Sequence, residues 1–322
     1  MTRRIQHDAV VPETLSGKRL DQAAAEVFPD FSRARLQQWI KQGVLSLDGA
    51  PAKPTLKVRG GETLRLDAEL EIESADEPQD IPLDIIHADA DIIVLNKPAG
   101  LVVHPAPGNR DGTLLNALLH YDRALAELPR AGLVHRLDKD TSGVMVVARS
   151  LRAHTTLVEQ LQARSMSRVY RALAIGEMIS GGTVDAPIGR HPRDRKRMAV
   201  VAFGKPAVTH FRVVERFRGF TDVEVSLETG RTHQIRVHLA NEGFALLGDP
   251  VYGKGWRKPR KQAAYPADLE AELKALPRQA LHAWKLTLKH PADGAEHSFE
   301  APLPADFTHL LEALRRHARP AR

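Results

Sequence analysis

An acidic stretch separates the beginning of the chain from a long basic remainder. Residues 66–91 hold ten Asp or Glu and no Lys or Arg, whereas residues 92–322 carry 35 basic against 23 acidic residues. Because a run of like charges repels itself, it favours a boundary over a packed core. A chain of 322 residues is also long enough for more than one domain. The pattern therefore predicts a small domain, a linker and a large domain, over residues 17–75, 76–91 and 92–322.

Several classes of protein are excluded by what the chain lacks. Cysteine is absent, which removes disulfides, Cys-bound metals and thiolate nucleophiles. The glycine-rich runs of nucleotide-binding loops and the H-E-x-x-H zinc motif are missing as well. No apolar stretch approaches the roughly 20 residues that span a bilayer, and no secretory signal is recognisable. We therefore expect a cytoplasmic protein with no cofactor, no metal and no membrane contact.

The net charge of +6 comes mainly from the part of the chain that follows the acidic stretch. A basic surface attracts polyanions such as nucleic acids, although basic proteins without that role are also common. The charge therefore favours a polyanionic partner but does not establish that the protein binds one.

The small domain combines two helical patterns with short strands. "GKRLDQAAAEVF" (17–28) and "SRARLQQWIKQG" (32–43) carry apolar residues at helical spacing. "VLSLDGAPA" then reads as a strand that enters a turn at Asp48 and Gly49, and "ETLRL" reads as a later strand. The basic side of the second helix is either a solvated face or a phosphate-binding surface, and it carries Arg33, Arg35 and Lys41.

This module resembles the S4 RNA-binding domain. The resemblance rests on the start "RLDQAAAEVF", the helix "SRARLQQWIKQG" and the hairpin "VLSLDG", and it covers most of residues 17–66. It implies that Arg33, Arg35 and Lys41 contact RNA.

The large domain mixes strands and helices without strict alternation. Apolar runs that read as strands are "DIIVL", "GLVV", "GVMVVA", "RVYRALAIG", "AVTHFRVVERF", "TDVEVSLE" and "LHAWKLTLKH". Helical patterns lie at "GTLLNALLHY", "SLRAHTTLVEQLQA", "RTHQIRVHLANEG" and "DFTHLLEALRRHA". Because the strands cluster, we predict an α+β fold with a large, mostly antiparallel mixed sheet.

One polar segment interrupts the predicted core. In "LVHRLDKDTSGVMVV" (133–147), nine residues lie between two apolar runs that read as buried strands. A turn needs fewer charged residues than this segment has. Asp138 follows the first run closely, so its carboxylate should be held near the sheet, as a nucleophile or base requires. The alternative is a polar loop in which Asp140 and Ser142 make turns.

Four motifs follow one another along much of the large domain. "LNKPAGLVVHP", "HRLDKDTSG", "LETGRTHQIRVH" and "LGDPVYG" resemble the signatures of the RluA-type pseudouridine synthases. The resemblance implies that the chain isomerises uridines of 23S ribosomal RNA, either in free RNA or in the assembling large ribosomal subunit. The reaction exchanges an N-glycosidic for a C-glycosidic bond and needs no cofactor. We expect the protein to act as a monomer.

The resemblance also implies roles for particular residues. Asp138 matches the aspartate that acts in breaking the glycosidic bond, Arg236 the arginine that pairs with it, and Tyr170 an active-site tyrosine that stacks on the base. Arg136 matches the arginine that enters the RNA helix when the target nucleotide leaves it. Whether Asp138 attacks the ribose, attacks the base or acts as a base stays open.

Two other functions are compatible with parts of the sequence. A non-catalytic RNA-binding factor of ribosome assembly would use the small domain and the basic surface, with Asp138 in a structural role. A hydrolase would use Asp138 and Asp140 as a pair of carboxylates.

Overall fold

The structure is a computed structural model that describes residues 2–28, 33–71, 77–106, 108–194, 197–253 and 265–318. The chain divides into two compact units, residues 1–75 and 76–322. Among the described residues, none of the helices has the length and apolar character that crossing a membrane demands.

The first unit combines a three-stranded antiparallel sheet with two helices. The strands are β1 (Thr2–Val10), β2 (Leu45–Leu47) and β3 (Thr63–Glu71), in the order β1-β3-β2. The helices are α1 (Leu20–Val27) and α2 (Arg33–Gln42). Both predicted helices are thus confirmed, and their apolar faces are buried in one core with the sheet through Leu20, Ala23, Ala24, Leu36, Trp39 and Ile40.

The predicted turn at Asp48 and Gly49 is confirmed. Both residues have positive φ, 51° and 76°, as a two-residue hairpin turn of type I′ requires. Strand β1 has no counterpart in the sequence prediction, which begins the small domain at residue 17. Residues 6–8 and Val10 are exposed, so the strand gives little of the apolar alternation from which strands are recognised.

The second unit is built on a nine-stranded sheet. The strands of this unit, including the separate hairpin of β9 and β10, are β4 (Asp84–Ala88), β5 (Ile92–Lys97), β6 (Ser142–Ala148), β7 (Ser167–Ile175), β8 (Gly182–Asp185), β9 (Ile188–Arg190), β10 (Met198–Val200), β11 (Val208–Phe217), β12 (Phe220–Leu227), β13 (Leu281–Lys289) and β14 (Glu296–Glu300). The large sheet has the order β4-β5-β6-β13-β7-β12-β11-β8, with β14 beside β13, and each pairing is antiparallel except the parallel pair β6 and β13. The predicted large, mostly antiparallel mixed sheet is confirmed.

Helices flank this sheet. They are α3 (Leu114–Tyr121), α4 (Leu151–Gln162), α5 (Gln234–Asn241), α6 (Ala267–Ala275) and α7 (Ala305–His317). Each of the four predicted helical patterns contains one of them, and α6 is additional. The main core lies between β5, β6, β7, β12 and β13 and the helices α3 and α4. A second cluster joins α6 and α7 to Phe217 and Phe220.

The segment assigned to the linker, residues 76–91, contains β4 in its second half. Residues Ile85 and Ile86 pack against the main core, and the side-chain amide of Asn96 on β5 donates to the Asp84 carboxylate at 2.9 Å. The apolar pair thus anchors a strand inside an acidic segment. The charge run therefore overstates the length of the boundary.

Candidate active site

The segment that carries Asp138 is an irregular loop rather than the end of a strand. The apolar run before it was expected to form a buried strand, but Leu133 makes a single bridge to Val147. Two residues on, the His135 ring takes the place of a strand carbonyl, since its Nε2 accepts the backbone N–H of Val146 at 3.1 Å. The His135 side chain thus supplies the hydrogen bond that a neighbouring strand would give to β6. The loop backbone therefore does not need to pair with β6 and can turn towards the cleft.

A buried lysine ties this loop to the preceding motif. Lys97, at the end of β5, is fully buried, and its Nζ donates to the carbonyls of Pro98, Leu101 and Lys139 at 2.7, 2.9 and 2.9 Å. Burial lowers the pKa of Lys97 to about 7, while the charges of Asp140 and Asp138 oppose the change. The three carbonyls match the three N–H bonds of an ammonium group. The "NKPAG" turn and the Asp138 loop are therefore one hydrogen-bonded unit.

Arg278 and Gln279 hold the other end of the loop. Arg278 is buried, pairs with Asp306 through two hydrogen bonds of 2.7 and 2.8 Å, and also donates to the Asp140 carbonyl at 3.3 Å. The Gln279 amide donates to the Thr141 hydroxyl at 3.1 Å. Asp138 is therefore presented by a loop that is fixed on both sides.

Close contact between strands explains the glycine of "TSG". Gly143 lies at φ 118°, and a Cβ atom there would come within 2.1 Å of the Ala283 carbonyl on β13. Only glycine fits this approach, so it allows β6 to start directly behind the loop.

The Asp138 carboxylate lies at the end of a chain of ion pairs. Its Oδ2 accepts a hydrogen bond from Arg236 Nη1 at 2.9 Å. Arg236, on α5, is 4% exposed and also grips Asp249 with Nε and Nη2 at 2.7 and 2.9 Å. The sequence prediction brought Asp138 and Arg236 together, and the structure shows this contact.

Asp249 is a partner that the sequence prediction missed. It belongs to the quoted motif "LGDPVYG" but received no role. The backbone N–H groups of Val251 and Tyr252 donate to its Oδ1 at 2.8 and 3.0 Å. Burial by itself raises the pKa of Asp249, but the Arg236 hydrogen bonds and charge outweigh it and the pKa is lowered. Likewise, burial opposes the charge of Arg236, but Asp249 and Asp138 raise its pKa. Asp249 thus holds the guanidinium charged and in place.

Asp138 and Arg236 line a cleft of about 690 Å³, within the usual range of about 300–1,000 Å³ for small-ligand sites. Tyr170, on β7 opposite Ala283 of β13 and Val225 of β12, forms part of the wall and is 7% exposed. Burial raises the pKa of its phenol. The predicted residues Asp138, Tyr170 and Arg236 therefore line one cleft.

Positive charge dominates the lining of the cleft. Arg136 is exposed there, two residues before Asp138. Asp138 is the one carboxylate among the described lining residues, and the cations are Arg130, Arg136, Lys139, Arg168, Arg231 and Arg236. Such a surface attracts phosphate groups. Asp140 is not in this lining, so no carboxylate pair of the kind a hydrolase would use faces the cleft among the described residues.

A histidine and a tyrosine complete the surroundings of Asp138. His233, which precedes α5, has its Nε2 3.9 Å from Asp138 Oδ2 and its Nδ1 2.8 Å from the Tyr252 hydroxyl. The Tyr252 ring lies against the Arg236 guanidinium, 5.1 Å from its centroid. Both residues belong to motifs that were quoted in the sequence, "GRTHQIR" and "LGDPVYG", but neither received a role.

A second polar cluster has the residue types of a metal site. His87 and His290 each place Nε2 within 2.9 Å of the same Asp89 oxygen. The backbone N–H of Ala292, however, donates to Nδ1 of His290 at 3.2 Å, so the neutral ring carries its proton on Nε2. This nitrogen donates to Asp89 and has no lone pair for a metal. The cluster therefore ties the turn after β4 to the end of β13.

In the first unit, the predicted RNA-binding residues differ in their surroundings. Arg33 donates two hydrogen bonds, of 3.1 and 2.8 Å, to the fully buried Asp21, which also binds Arg19 and Gln37. Burial by itself raises the pKa of Asp21, but these hydrogen bonds lower it to about 2. Lys41 is exposed. The side chain of Arg35 lies outside the part of the chain that the structure describes.

Comparisons with known proteins identify the relatives of this chain. Residues 91–241 match the family described as RNA pseudouridylate synthase. The chain is 56% identical over 315 residues to ribosomal large subunit pseudouridine synthase D of Pseudomonas aeruginosa, with 98% of each chain covered. It is 54% identical over 316 residues to the protein of the same name from Escherichia coli, covering 98% of this chain and 96% of that one.

Solved structures show the same fold. Human RNA pseudouridylate synthase domain containing 4 matches with a TM-score of 0.54 and 29% identity, over 72% of this chain and 93% of that one. Human RNA pseudouridylate synthase domain containing 1 matches with a TM-score of 0.54 and 24% identity, over 76% and 98%, which supports the fold alone. The family that the sequence motifs predict is thereby confirmed, and the chain belongs to the RNA pseudouridylate synthase family.

Proposed function

We propose that this chain isomerises specific uridines of 23S ribosomal RNA to pseudouridine. The observation that carries the proposal is the chain of ion pairs from Asp138 through Arg236 to Asp249 at a basic cleft. Relatives that match over nearly the whole chain bear the name ribosomal large subunit pseudouridine synthase D, which supports this substrate. The reaction rearranges bonds within one nucleotide, so it consumes no donor of atoms or electrons.

Asp138 is the group that acts on the target nucleotide. Its side chain is 16% exposed towards the cleft, and one oxygen is held by Arg236 at 2.9 Å. An opposite charge at this distance stabilises the carboxylate. Such a carboxylate can attack the ribose, attack the uracil ring or remove a ribose proton, and each of these routes starts from the same contact.

The target uridine has to leave its helix, because the glycosidic bond of a stacked base is out of reach. Flipping a base costs a few kcal/mol. The exposed Arg136, two residues before Asp138, is suited to fill the space that the nucleotide leaves. Tyr170 offers a flat ring against which uracil can stack. The surrounding arginines bind the phosphates on either side.

We further propose that the first unit is an S4-like RNA-binding module that uses Arg33, Arg35 and Lys41. Its two helices and hairpin carry the S4-like motifs, and the buried Asp21 holds Arg33 in a defined position. On this proposal the protein acts as a cytoplasmic monomer. Its substrate is 23S ribosomal RNA, free or in the assembling large subunit.

The test uses ribosomal RNA with tritium at C5 of uridine, because rearrangement at that carbon must expel its hydrogen. We expect Asp138→Asn to abolish tritium release while RNA affinity and the free energy of unfolding stay close to those of the parent. Asp140→Asn is the matched control, since it removes a carboxylate from the same loop but not from the cleft, and it should keep most of the activity. Release by the Asp138→Asn variant within tenfold of the parent would contradict the role of Asp138. An inactive parent would contradict the proposed function itself.

A further inference from the structure

We propose that His233 is a further substrate-contacting residue, whose Nε2–H donates a hydrogen bond to a carbonyl oxygen of the target uracil while the bonds at that base are rearranged. The inference rests on the proposed function, because it assigns a contact within the same reaction. It concerns a residue for which the motif resemblance implied no role.

The position of His233 next to Asp138 is the first observation. His233 lines the cleft, and its Nε2 lies 3.9 Å from Asp138 Oδ2. This distance is too long for a hydrogen bond. Among the described residues, no acceptor lies within hydrogen-bond distance of that nitrogen. The donor is therefore available to a substrate atom that sits beside the carboxylate.

The second observation fixes which nitrogen carries the proton. The Tyr252 oxygen accepts the backbone N–H of Met198 at 2.9 Å and lies 2.8 Å from His233 Nδ1. A phenol has one proton to donate, and among the described residues its acceptor is this Nδ1. The neutral imidazole consequently has its own proton on Nε2. Burial lowers the pKa of His233 against the charge of Asp138, which favours the neutral ring.

The backbone of His233 is held in an uncommon conformation. Its φ and ψ are 57° and 22°, in the left-handed region, which few residues other than glycine adopt and where His, Asn and Asp are enriched. Such conformations persist where neighbouring contacts hold them, and they gather at functional sites. Here the turn brings the imidazole to the cleft immediately before α5, the helix that presents Arg236.

The chemistry gives this donor a task. Breaking the bond between C1′ and N1 leaves its electron pair on uracil, where the charge spreads to the carbonyl oxygens. Attack of a carboxylate on the ring likewise moves an electron pair to a carbonyl oxygen. In either case the pair is withdrawn from the oxygen when C5 bonds to C1′. Any bond that Asp138 has formed to the ribose or the ring then breaks and releases the carboxylate, C5 loses its hydrogen as a proton, and N1 gains a proton. A fixed donor aimed at such an oxygen stabilises the charge that develops.

Arg236 is poorly placed for the same task because it already serves two carboxylates. Its Nε and Nη2 donate to Asp249, and its Nη1 donates to Asp138. His233 supplies a neutral donor from the same side of the cleft. Neutrality matters, because a further cation beside Asp138 would compete with Arg236 for the carboxylate.

Two substitutions of His233 distinguish the effect of its Nε2–H donor from the effect of its left-handed backbone conformation. His233→Asn tolerates the left-handed conformation and keeps an acceptor for Tyr252, but its side chain is too short to replace Nε2. His233→Gln extends an amide N–H to the place of Nε2. In single-turnover assays at saturating enzyme, we expect His233→Asn to slow isomerisation by about 100-fold. We expect His233→Gln to recover about tenfold of that loss, as one restored hydrogen bond would, while RNA affinity changes little in both variants.

Rates on thio-substituted RNA distinguish a hydrogen bond from His233 to uracil from a merely structural role of His233. Sulfur is a weak acceptor, so 2-thiouridine or 4-thiouridine at the target site weakens the contact at one carbonyl. One of the two should slow the parent by about tenfold but leave the rate of the His233→Asn variant unchanged.

Tyr252→Phe keeps the ring on Arg236 and removes only the hydroxyl, so the proton of the His233 imidazole is no longer confined to Nε2. It should slow the reaction by about threefold to tenfold, and it serves as the test if His233→Asn fails to fold.

Two results would overturn the inference. One is a His233→Asn or Tyr252→Phe variant that isomerises uridine at the parent rate. The other is a thio effect that is equally large in the parent and in a variant that lacks the donor. A parent without any pseudouridine formation would instead refute the proposed function, so the two failures are distinguishable.

Discussion

At the scale of single residues, the site depends on one guanidinium shared by two carboxylates. Arg236 is almost fully buried, and its charge is opposed by Asp249 on one side and Asp138 on the other. Asp249 has no exposed side-chain surface, whereas Asp138 has some. The buried carboxylate is therefore the permanent partner of Arg236, and on the proposed function the partly exposed Asp138 acts on the substrate.

Replacing Asp249 by Asn tests whether Asp249 is the partner that stabilises the buried Arg236. The neutral amide leaves the buried guanidinium with one charged partner, and we expect the free energy of unfolding of the second unit to fall by about 2 kcal/mol or more. The rate of isomerisation should fall as well, because Arg236 is no longer held towards Asp138. Denaturant unfolding and single-turnover rates measure the two effects.

Glu224→Gln is the control for that experiment. It breaks the pair with Arg212, which is 67% exposed, and an exposed pair contributes only about 0.2–1 kcal/mol. Equal losses of stability in the two variants would contradict the structural role of Asp249.

A second residue-scale prediction concerns acid. Burial, with a smaller effect from Arg168, lowers the pKa of His135 to about 3, against about 6.5 in an unfolded chain. Between these values the unfolded chain binds the extra proton, so stability is lost as the pH falls from 6.5 towards 3. His135→Gln keeps an acceptor for the Val146 N–H but does not titrate. Its free energy of unfolding should therefore fall less steeply on acidification, by about 1 kcal/mol per pH unit.

The measurement is denaturant unfolding of parent and variant at several pH values between 4 and 6.5. His282, whose pKa burial lowers to about 4, titrates in both proteins and cancels from the difference. Parallel pH profiles for the two proteins would show that His135 is not responsible.

At the scale of structural elements, the Asp138 loop is an irregular segment before β6 whose position is set by side-chain hydrogen bonds. It has no regular hydrogen-bonding pattern of its own. Lys97 from β5 and Arg278 and Gln279 from the segment before β13 hold it, and its own His135 binds β6. Because these contacts join segments that are separated in the sequence, they form only when the sheet has folded.

Lys97→Met tests the most central of these ties. Methionine fills a similar volume but removes the ammonium donor from the carbonyls of Pro98 and Leu101. The Lys139 carbonyl, by contrast, keeps the N–H of Gly100 as a donor. We expect the free energy of unfolding to fall by about 2 kcal/mol. The loop should also hold Asp138 less firmly, so isomerisation should slow more than RNA binding weakens. Unfolding curves, single-turnover rates and binding titrations give the three quantities.

Lys289→Met is the matched control, since Lys289 lies exposed at the end of β13. It should change neither stability nor rate beyond about 0.5 kcal/mol. A Lys97→Met variant that behaves like this control would show that the loop does not depend on the buried ammonium.

At the scale of the whole molecule, each unit has a sheet and a core of its own. The described residues that line the cleft all belong to the second unit. The cations proposed to bind RNA from the first unit lie on α2, where Asp21 already engages Arg33. Recognition and chemistry are therefore separable on this proposal.

Deleting residues 1–75 should weaken RNA binding without abolishing chemistry. Each phosphate contact adds about 0.7 to 0.9 to the slope of log affinity against log salt, so three lost cations should flatten it by roughly two to three units. Site choice should become less strict, while high enzyme concentration still yields pseudouridine. Lys41→Gln in the full chain is the control and should remove about one unit of slope. An unchanged slope with unchanged product sites would show that this helix face is merely solvated.

Much of the fold could be predicted because its signals are local. Apolar spacing identified α1, α2, the two strands expected in the small domain and six of the eight runs expected as strands in the large domain. The Asp48–Gly49 turn follows from residues that accept positive φ. The run before Asp138 makes only an isolated bridge between Leu133 and Val147. The strand expected at "GLVV" is absent, since that segment makes only an isolated bridge between Val102 and Thr113. Strand β1 was missed because its partner, β3, is distant in the sequence. Strand β4 pairs with the strand that follows it but lies in an acidic segment, and the short strands β8, β9, β10 and β14 were not predicted either.

The sequence by itself determined the residue types of the site, and the tertiary structure alone decided their connections. Asp138 and Arg236 were recognisable because each lies in a motif that resembles a signature of the family, and Tyr170 because the resemblance matches it to an active-site tyrosine. That Asp249 holds Arg236, that Lys97 holds the Asp138 loop and that Tyr252 orients His233 could not be read in this way. Each of these contacts joins groups that are separated along the chain, and the burial that makes it strong exists only after the chain has folded.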